Sequence, residues 1–210
     1  MLETAIVSFT TFFATIGPVD VVAMFAAMTS RASPAARRSM ALRGTIVAAV
    51  ILLTFALAGK MLLASLGISL AALRVAGGIL LLLIGIDMVF ARSSGGTSTT
   101  DDEEREAATK EDISVFPLAT PLIAGPGSMG AAILLMAGAE GQLVLQLIVV
   151  GCLLALLLLT LIGLLLASQI QRVIGLTAMH VVSRVFGVLL SALAVQFILD
   201  GIAQSGLLKG

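Results

Sequence analysis

Apolar residues in this chain come in long unbroken runs separated by short polar stretches, and the runs set the number of elements. A membrane-crossing helix needs about 20 mostly apolar residues. On that rule the sequence predicts six spans, at Ala5–Met28, Gly44–Leu63, Leu73–Phe90, Ile113–Gly138, Leu143–Ala167 and Val181–Gly201. A run such as Leu153 to Leu166 does not alternate, as the short strands of a membrane β-barrel must. The expected fold class is an all-α polytopic membrane protein. Residues 92–112, rich in Ser, Thr and Gly and carrying Asp101, Asp102, Glu103, Glu104, Glu106, Glu111 and Asp112, read as a solvated acidic linker. The chain then divides into a first three-span unit (1–91), the linker (92–112) and a second three-span unit (113–210).

The two units repeat each other. Gly17-Pro18 in the first span recurs as Gly125-Pro126 in the fourth, 108 residues later. Arg74-Val75-Ala76-Gly77 at the start of the third recurs as Arg184-Val185-Phe186-Gly187 in the sixth, 110 residues later. Two motifs at nearly one offset carry more weight than either alone. Because each unit has an odd number of spans, the second must insert upside down relative to the first, which is a common transporter architecture.

Composition narrows the class further. Of 210 residues, 59% are hydrophobic and 11% charged, against about 25% charged in a soluble domain, and the mean hydropathy is +1.15. A soluble fold of this size has one modest core and cannot hide so much apolar surface, so the lipid bilayer is the solvent. Basic and acidic residues number 12 each and the basic ones are scattered, which excludes a nucleic-acid partner. Cytoplasmic loops retain an excess of Lys and Arg. With both termini outside, Arg31, Arg37, Arg38, Arg43, Arg92, Arg105, Lys110, Arg172 and Arg184 fall inside and Lys60, Arg74 and Lys209 outside. That count favours a multi-pass protein of a cell (inner) membrane with both termini periplasmic. The N-terminus has no basic stretch before its apolar run, so the run reads as a retained first span. The lone Cys152 lies in an apolar run and reads as a packing residue.

Candidate chemistry sits at the helix breaks. A proline inside a helix removes a donor and clashes with the preceding turn, so Gly17-Pro18 and Gly125-Pro126-Gly127 should break the first and fourth spans. Irregular backbone at membrane depth survives only where protein or a wet cavity covers it, so the two breaks are expected to face each other. A restarted half-helix offers free N–H groups and a positive dipole end to a carboxylate, and freed carbonyls suit an ammonium or a cation. Ser128 falls in the first turn of one such half-helix. Asp20 lies two residues past Pro18, where an unpaired charge costs at least about 2.5 to 3.5 kcal/mol and so needs a partner, a proton or water. The expected substrate-binding set is Gly17, Pro18, Asp20, Gly125, Pro126, Gly127 and Ser128, with Asp20 as the ligand of a coupling H⁺ or Na⁺. Kinks that serve packing alone are the alternative. Asp87 and Asp200 read as structural, Arg74 and Arg184 as interfacial anchors, and Gly77, Gly78 and Gly187 as close helix contacts. His180 reads as a loop residue, and one histidine makes no metal site. Without a catalytic constellation, a phosphate loop or a dinucleotide fingerprint, no enzyme, cofactor or ATP drive is expected.

These residues resemble the MarC family of bacterial and archaeal integral membrane proteins, some of whose members are described as transporters of small neutral amino acids. The resemblance covers nearly the whole chain outside the linker. It is carried by Phe116-Pro117-Leu118-Ala119-Thr120-Pro121-Leu122-Ile123-Ala124-Gly125-Pro126-Gly127-Ser128, by Arg74-Val75-Ala76-Gly77-Gly78-Ile79-Leu80 continuing to Asp87, and by Ala194-Val195-Gln196-Phe197-Ile198-Leu199-Asp200-Gly201-Ile202. The first span departs from the family pattern, which has an Asn or Asp before the proline, then a Gly-Asn pair and a second proline; here the stretch is Gly17, Pro18, Val19, Asp20, Val21, Val22, Ala23. The resemblance implies a carrier of small zwitterionic solutes. A non-transporting scaffold and a passive channel are the other functions this pattern allows, and a homo-oligomer is compatible with all three.

Overall fold

A computed structural model describes residues 1–29, 32–90 and 112–206. Helices α1 (Leu2–Ile16), α2 (Pro18–Met28), α3 (Pro34–Ser65), α4 (Leu70–Phe90), α5 (Pro126–Gly138), α6 (Leu143–Leu165) and α7 (Ala167–Gln204) account for most of it, with a wide helical segment at Ser114–Ile123 before α5. The linker apart from Asp112, with Arg92, Arg105 and Lys110, falls outside the described residues, as do Arg31 and Lys209 and the side chains of Arg172 and His180.

Five spans are long and apolar enough to cross a membrane, Leu2–Ala26, Pro34–Ser65, Leu70–Phe90, Leu143–Leu165 and Arg184–Gln204, with bounds within a few residues of those expected except that the second begins at Pro34 and not at Gly44. The sixth is bent by 54° between Ser114–Ile123 and Pro126–Gly138, and its contacts show how far it reaches. A Cβ on Gly44 of α3 would meet Leu118, and one on Gly59 would meet Ile133. The bent unit therefore advances along α3 over about 22 Å, at 1.5 Å per helical residue. Ion pairs bracket this stretch. Arg43 Nη1 reaches Asp112 Oδ2 (3.5 Å) at one end, and Lys60 pairs with Glu140 at the other. Some 25 Å of helix between Arg43 and Lys60 is most of the hydrocarbon thickness of about 30 Å, so the bent unit has the reach of a sixth candidate span.

Two differences from the sequence reading have local causes. The first half of the fourth span is not a regular helix. Phe116 and Thr120 have extended backbone and precede cis bonds to Pro117 and Pro121, and hydrogen bonds here span five residues, as from Leu118 N–H to Ile113 C=O (3.1 Å). Two prolines four residues apart cannot share one α-helical ladder. In the second difference, the loop expected around His180 is helical, because α7 runs unbroken from Ala167. No proline follows Pro126 to stop it.

Glycines set the tightest contacts. A Cβ on Gly85 of α4 would lie 2.9 Å from the Gly187 carbonyl oxygen of α7, and one on Gly78 would lie 2.8 Å from that of Ala194. Residue numbers fall along α7 as they rise along α4, so the pair is antiparallel, with backbones in near contact. The largest buried cluster runs from Phe12, Ile16 and Phe25 through Leu52 to Leu122, Ile123, Leu153 and Leu156. Ile46, Val50, Leu147, Leu158, Val188 and Leu199 point outward from their helices, which is the surface lipid requires.

Candidate functional site

The two breaks have different backbones. At the first, Gly17 takes the left-handed conformation (φ 59, ψ 57) while its N–H still donates to Phe13 C=O (3.0 Å), so α1 ends in a glycine cap. Pro18 then opens α2 at a position where its missing N–H costs nothing. At the second, Gly125 is extended (φ −85, ψ 172) and caps α5, which again opens on proline. Each glycine carbonyl accepts the first bond of the new helix, from Val21 N–H at Gly17 and from Met129 N–H at Gly125, both at 3.0 Å.

The third helical position after each glycine is polar: Asp20 in α2 and Ser128 in α5, 108 residues apart like the glycines themselves. Asp20 is half-buried. Its Oδ2 lies 3.5 Å from where a Cβ on Gly17 would stand, so the carboxylate folds back over the break, at the positive end of α2. Ser128 is fully buried. Its hydroxyl lies 2.9 Å from Ile123 C=O and 3.0 Å from Gly125 C=O and donates back across the break, reaching the Ile123 carbonyl at the end of the interrupted segment. Gly127 is closed in by Ile84 of α4, whereas Pro126 is exposed.

Residues flanking both breaks, Ile16 and Val21 on one side and Ile123 and Ala124 on the other, belong to one buried cluster. α2 packs on the 114–123 segment and α1 on α5. The remaining candidates lie away from the breaks. Asp87 is half-buried on α4, and Asp200 accepts a hydrogen bond from Gln196 Nε2 (2.8 Å). The two repeat-related arginines part company. Arg184 is exposed, as an anchor should be, while Arg74 is half-buried and turns inward, with Nη2 3.9 Å from the Cβ position of Gly138 on α5. No group of three or more His, Cys, Asp or Glu side chains able to hold a metal occurs among the described residues.

The prolines at 117 and 121 belong to the same structure, although the sequence reading placed its break only at Gly125-Pro126. Their spacing was the available signal. Outside the membrane, hydrogen bonds from Ser114, helped by Arg43, hold the Asp112 carboxyl below its ordinary value; the Ser114 N–H donates to Oδ1 at 2.9 Å. That contact pins the start of the broken span.

The family model for MarC family integral membrane proteins matches residues 2–205. The chain belongs to the MarC family. It is similar to a UPF0056 membrane protein of Methanocaldococcus jannaschii, 38% identical over 202 residues covering 96% of this chain and 97% of that one. A second from Archaeoglobus fulgidus is 36% identical over 199 residues, covering 94% of this chain and 91% of that one. A third from Bacillus subtilis is 36% identical over 133 residues, 63% of each chain. Their names describe these MarC relatives as membrane proteins and say nothing of a solute. No solved structure matches. For this MarC protein, then, a multi-pass helical membrane protein is established by family and fold together.

Proposed function

We propose that this protein is a secondary transporter or facilitator of small polar solutes, with neutral amino acids as the favoured class, built from two inverted three-span repeats in a cell membrane with both termini outside. The observation that carries the reading is the pair of broken spans. Each restarts on Gly-Pro with a polar third residue, Asp20 or Ser128, and the flanks of both share one buried cluster. Irregular backbone at that depth is costly unless it is covered by protein or used. The antiparallel pairing of α4 with α7 supports the inverted repeat, since these are the helices that carry the Arg-Val repeat and an axis in the membrane plane would relate them this way.

In this reading the first-turn N–H groups of α2 and α5 receive the substrate carboxylate. Asp20 takes the substrate ammonium or a coupling H⁺ or Na⁺, and Gly17, Pro18, Gly125, Pro126 and Gly127 shape the backbone that makes those groups available. Ser128, already donating to two carbonyls, retains its lone pairs for an ammonium. The role is that of a carrier and not of an enzyme.

The test is uptake of radiolabelled glycine, alanine and serine into proteoliposomes under imposed H⁺ and Na⁺ gradients, with Gly125→Leu as control. Saturable uptake that Gly125→Leu abolishes is the expected result. No uptake of any of the three under either gradient, from protein verified as folded, refutes amino-acid transport.

A further inference from the structure

A second polar site lies away from the breaks. A half-open cavity of about 220 Å³ gathers the start of α1, the start of α4, the start of α6 and the ends of α5 and α7. In a chain that crosses six times, those five ends emerge on one membrane face. Glu3, Arg74 and Asp200 line it among apolar walls that include Leu134 and Phe197, and Ser8 lies at its base, wholly buried.

Ser8 marks the cavity as a site. Buried hydroxyls elsewhere in α1 bond one turn back, Thr11 to Val7 C=O (2.7 Å) and Thr15 to Thr11 C=O (2.9 Å). Ser8 does not, and its Oγ has no hydrogen-bond partner among the described residues. A buried hydroxyl left unmade costs about 1–3 kcal/mol, so a polar occupant is called for. Neither the Arg43–Asp112 nor the Lys60–Glu140 ion pair includes Arg74, Glu3 or Asp200. Three charged groups therefore face a small space without neutralising one another in direct contact.

We propose that this cavity binds a small zwitterion with adjacent ammonium and carboxylate groups, an α-amino acid being the fitting class. The Arg74 guanidinium receives the carboxylate in the fork geometry it offers. Glu3 and Asp200 face the ammonium, and Ser8 Oγ bonds whichever end enters deepest. Two carboxylates against one guanidinium favour an occupant that brings a cation, and 220 Å³ is below the roughly 300–1,000 Å³ of drug-sized pockets. The proposal rests on the transport reading only for the purpose of the site, an access point on one face; binding is testable without transport.

Cysteine accessibility tests it in the full-length protein. Cys152→Ser removes the native thiol, Thr4→Cys introduces one in the partly exposed wall of the cavity, and a small cationic methanethiosulfonate reports its modification rate in nanodiscs. The Thr4→Cys thiol is expected to react, and L-alanine at ten times its Kd to slow the reaction about tenfold, while propionate or n-propylamine alone does not. Arg74→Gln should abolish that protection, so that the rates with and without L-alanine become equal in the variant. If Arg74→Gln does not fold, Asp200→Asn reads the ammonium end and should weaken protection likewise. A thiol that never reacts, a rate indifferent to L-alanine, or protection that survives the charge-removing variant overturns the proposal. Protection without vesicle uptake would leave this site standing and remove the transport reading; uptake without protection would do the reverse.

Discussion

The same dipeptide, Gly-Pro, opens two helices in this protein by two different means. At residue 17 one left-handed glycine makes the whole break, with helix on both sides and a carboxylate folded over it. At residue 125 the glycine is ordinarily extended, and the interruption is spread over the preceding ten residues, whose freed carbonyls are answered in part by the Ser128 hydroxyl. The first break depends on what residue 17 can adopt, and the second on what residue 128 can donate. A sequence motif thus specifies that a helix stops, while its surroundings decide which residue the stop depends on.

Five variants and one change of pH break or sharpen that contrast. Ser128→Ala strikes hardest: the buried Ile123 carbonyl loses its hydroxyl donor while that of Gly125 keeps the Met129 N–H, at a cost of about 1–3 kcal/mol, read as a lowered thermal midpoint in detergent. An unchanged midpoint would mean that water or a nearby N–H serves the Ile123 carbonyl equally well. Gly17→Ala comes next, at about 1–2 kcal/mol for a left-handed non-glycine residue. Gly125→Ala should cost less, since its backbone lies where any residue sits; equal losses at the two positions would erase the distinction drawn between the breaks.

Asp20→Asn should leave the midpoint within about 0.5 kcal/mol, as nearly isosteric changes at partly exposed positions do, yet alter uptake. If rate, pH dependence and Na⁺ dependence are all unchanged, Asp20 has no coupling role. The smallest effect concerns the anchor of the second break. Because Asp112 is held below its ordinary value of 3.8, the stability it lends is complete above that value and is lost as pH falls through the lower folded one. For so exposed a pair the loss is under about 1 kcal/mol, and it should vanish in Asp112→Asn, measured as the midpoint difference between neutral and acidic buffer.

Much of this architecture was legible in the one-dimensional pattern. Run lengths located the spans to within a few residues, except that the first and second spans begin earlier than expected, at Leu2 and Pro34, and the last is continuous with the helix before it. Hydropathy averages over windows and cannot mark helix that continues past the bilayer. The breaks were legible because proline acts through covalent geometry, which needs no partner. Arg74 was not legible: in sequence it matches Arg184, and only packing turns one inward over Gly138 and leaves the other exposed.

By itself the sequence determined that the chain lives in lipid and that helices break at Gly17-Pro18 and Gly125-Pro126, because the first follows from composition and the second from the proline ring. Tertiary structure alone decided that the bent fourth span runs the length of α3 between two ion pairs, that glycines bring α4 and α7 into backbone contact, and that Ser8 is left without a partner beside Arg74. Those are contacts between residues far apart in the chain, and no local pattern specifies which apolar helix will lie against which.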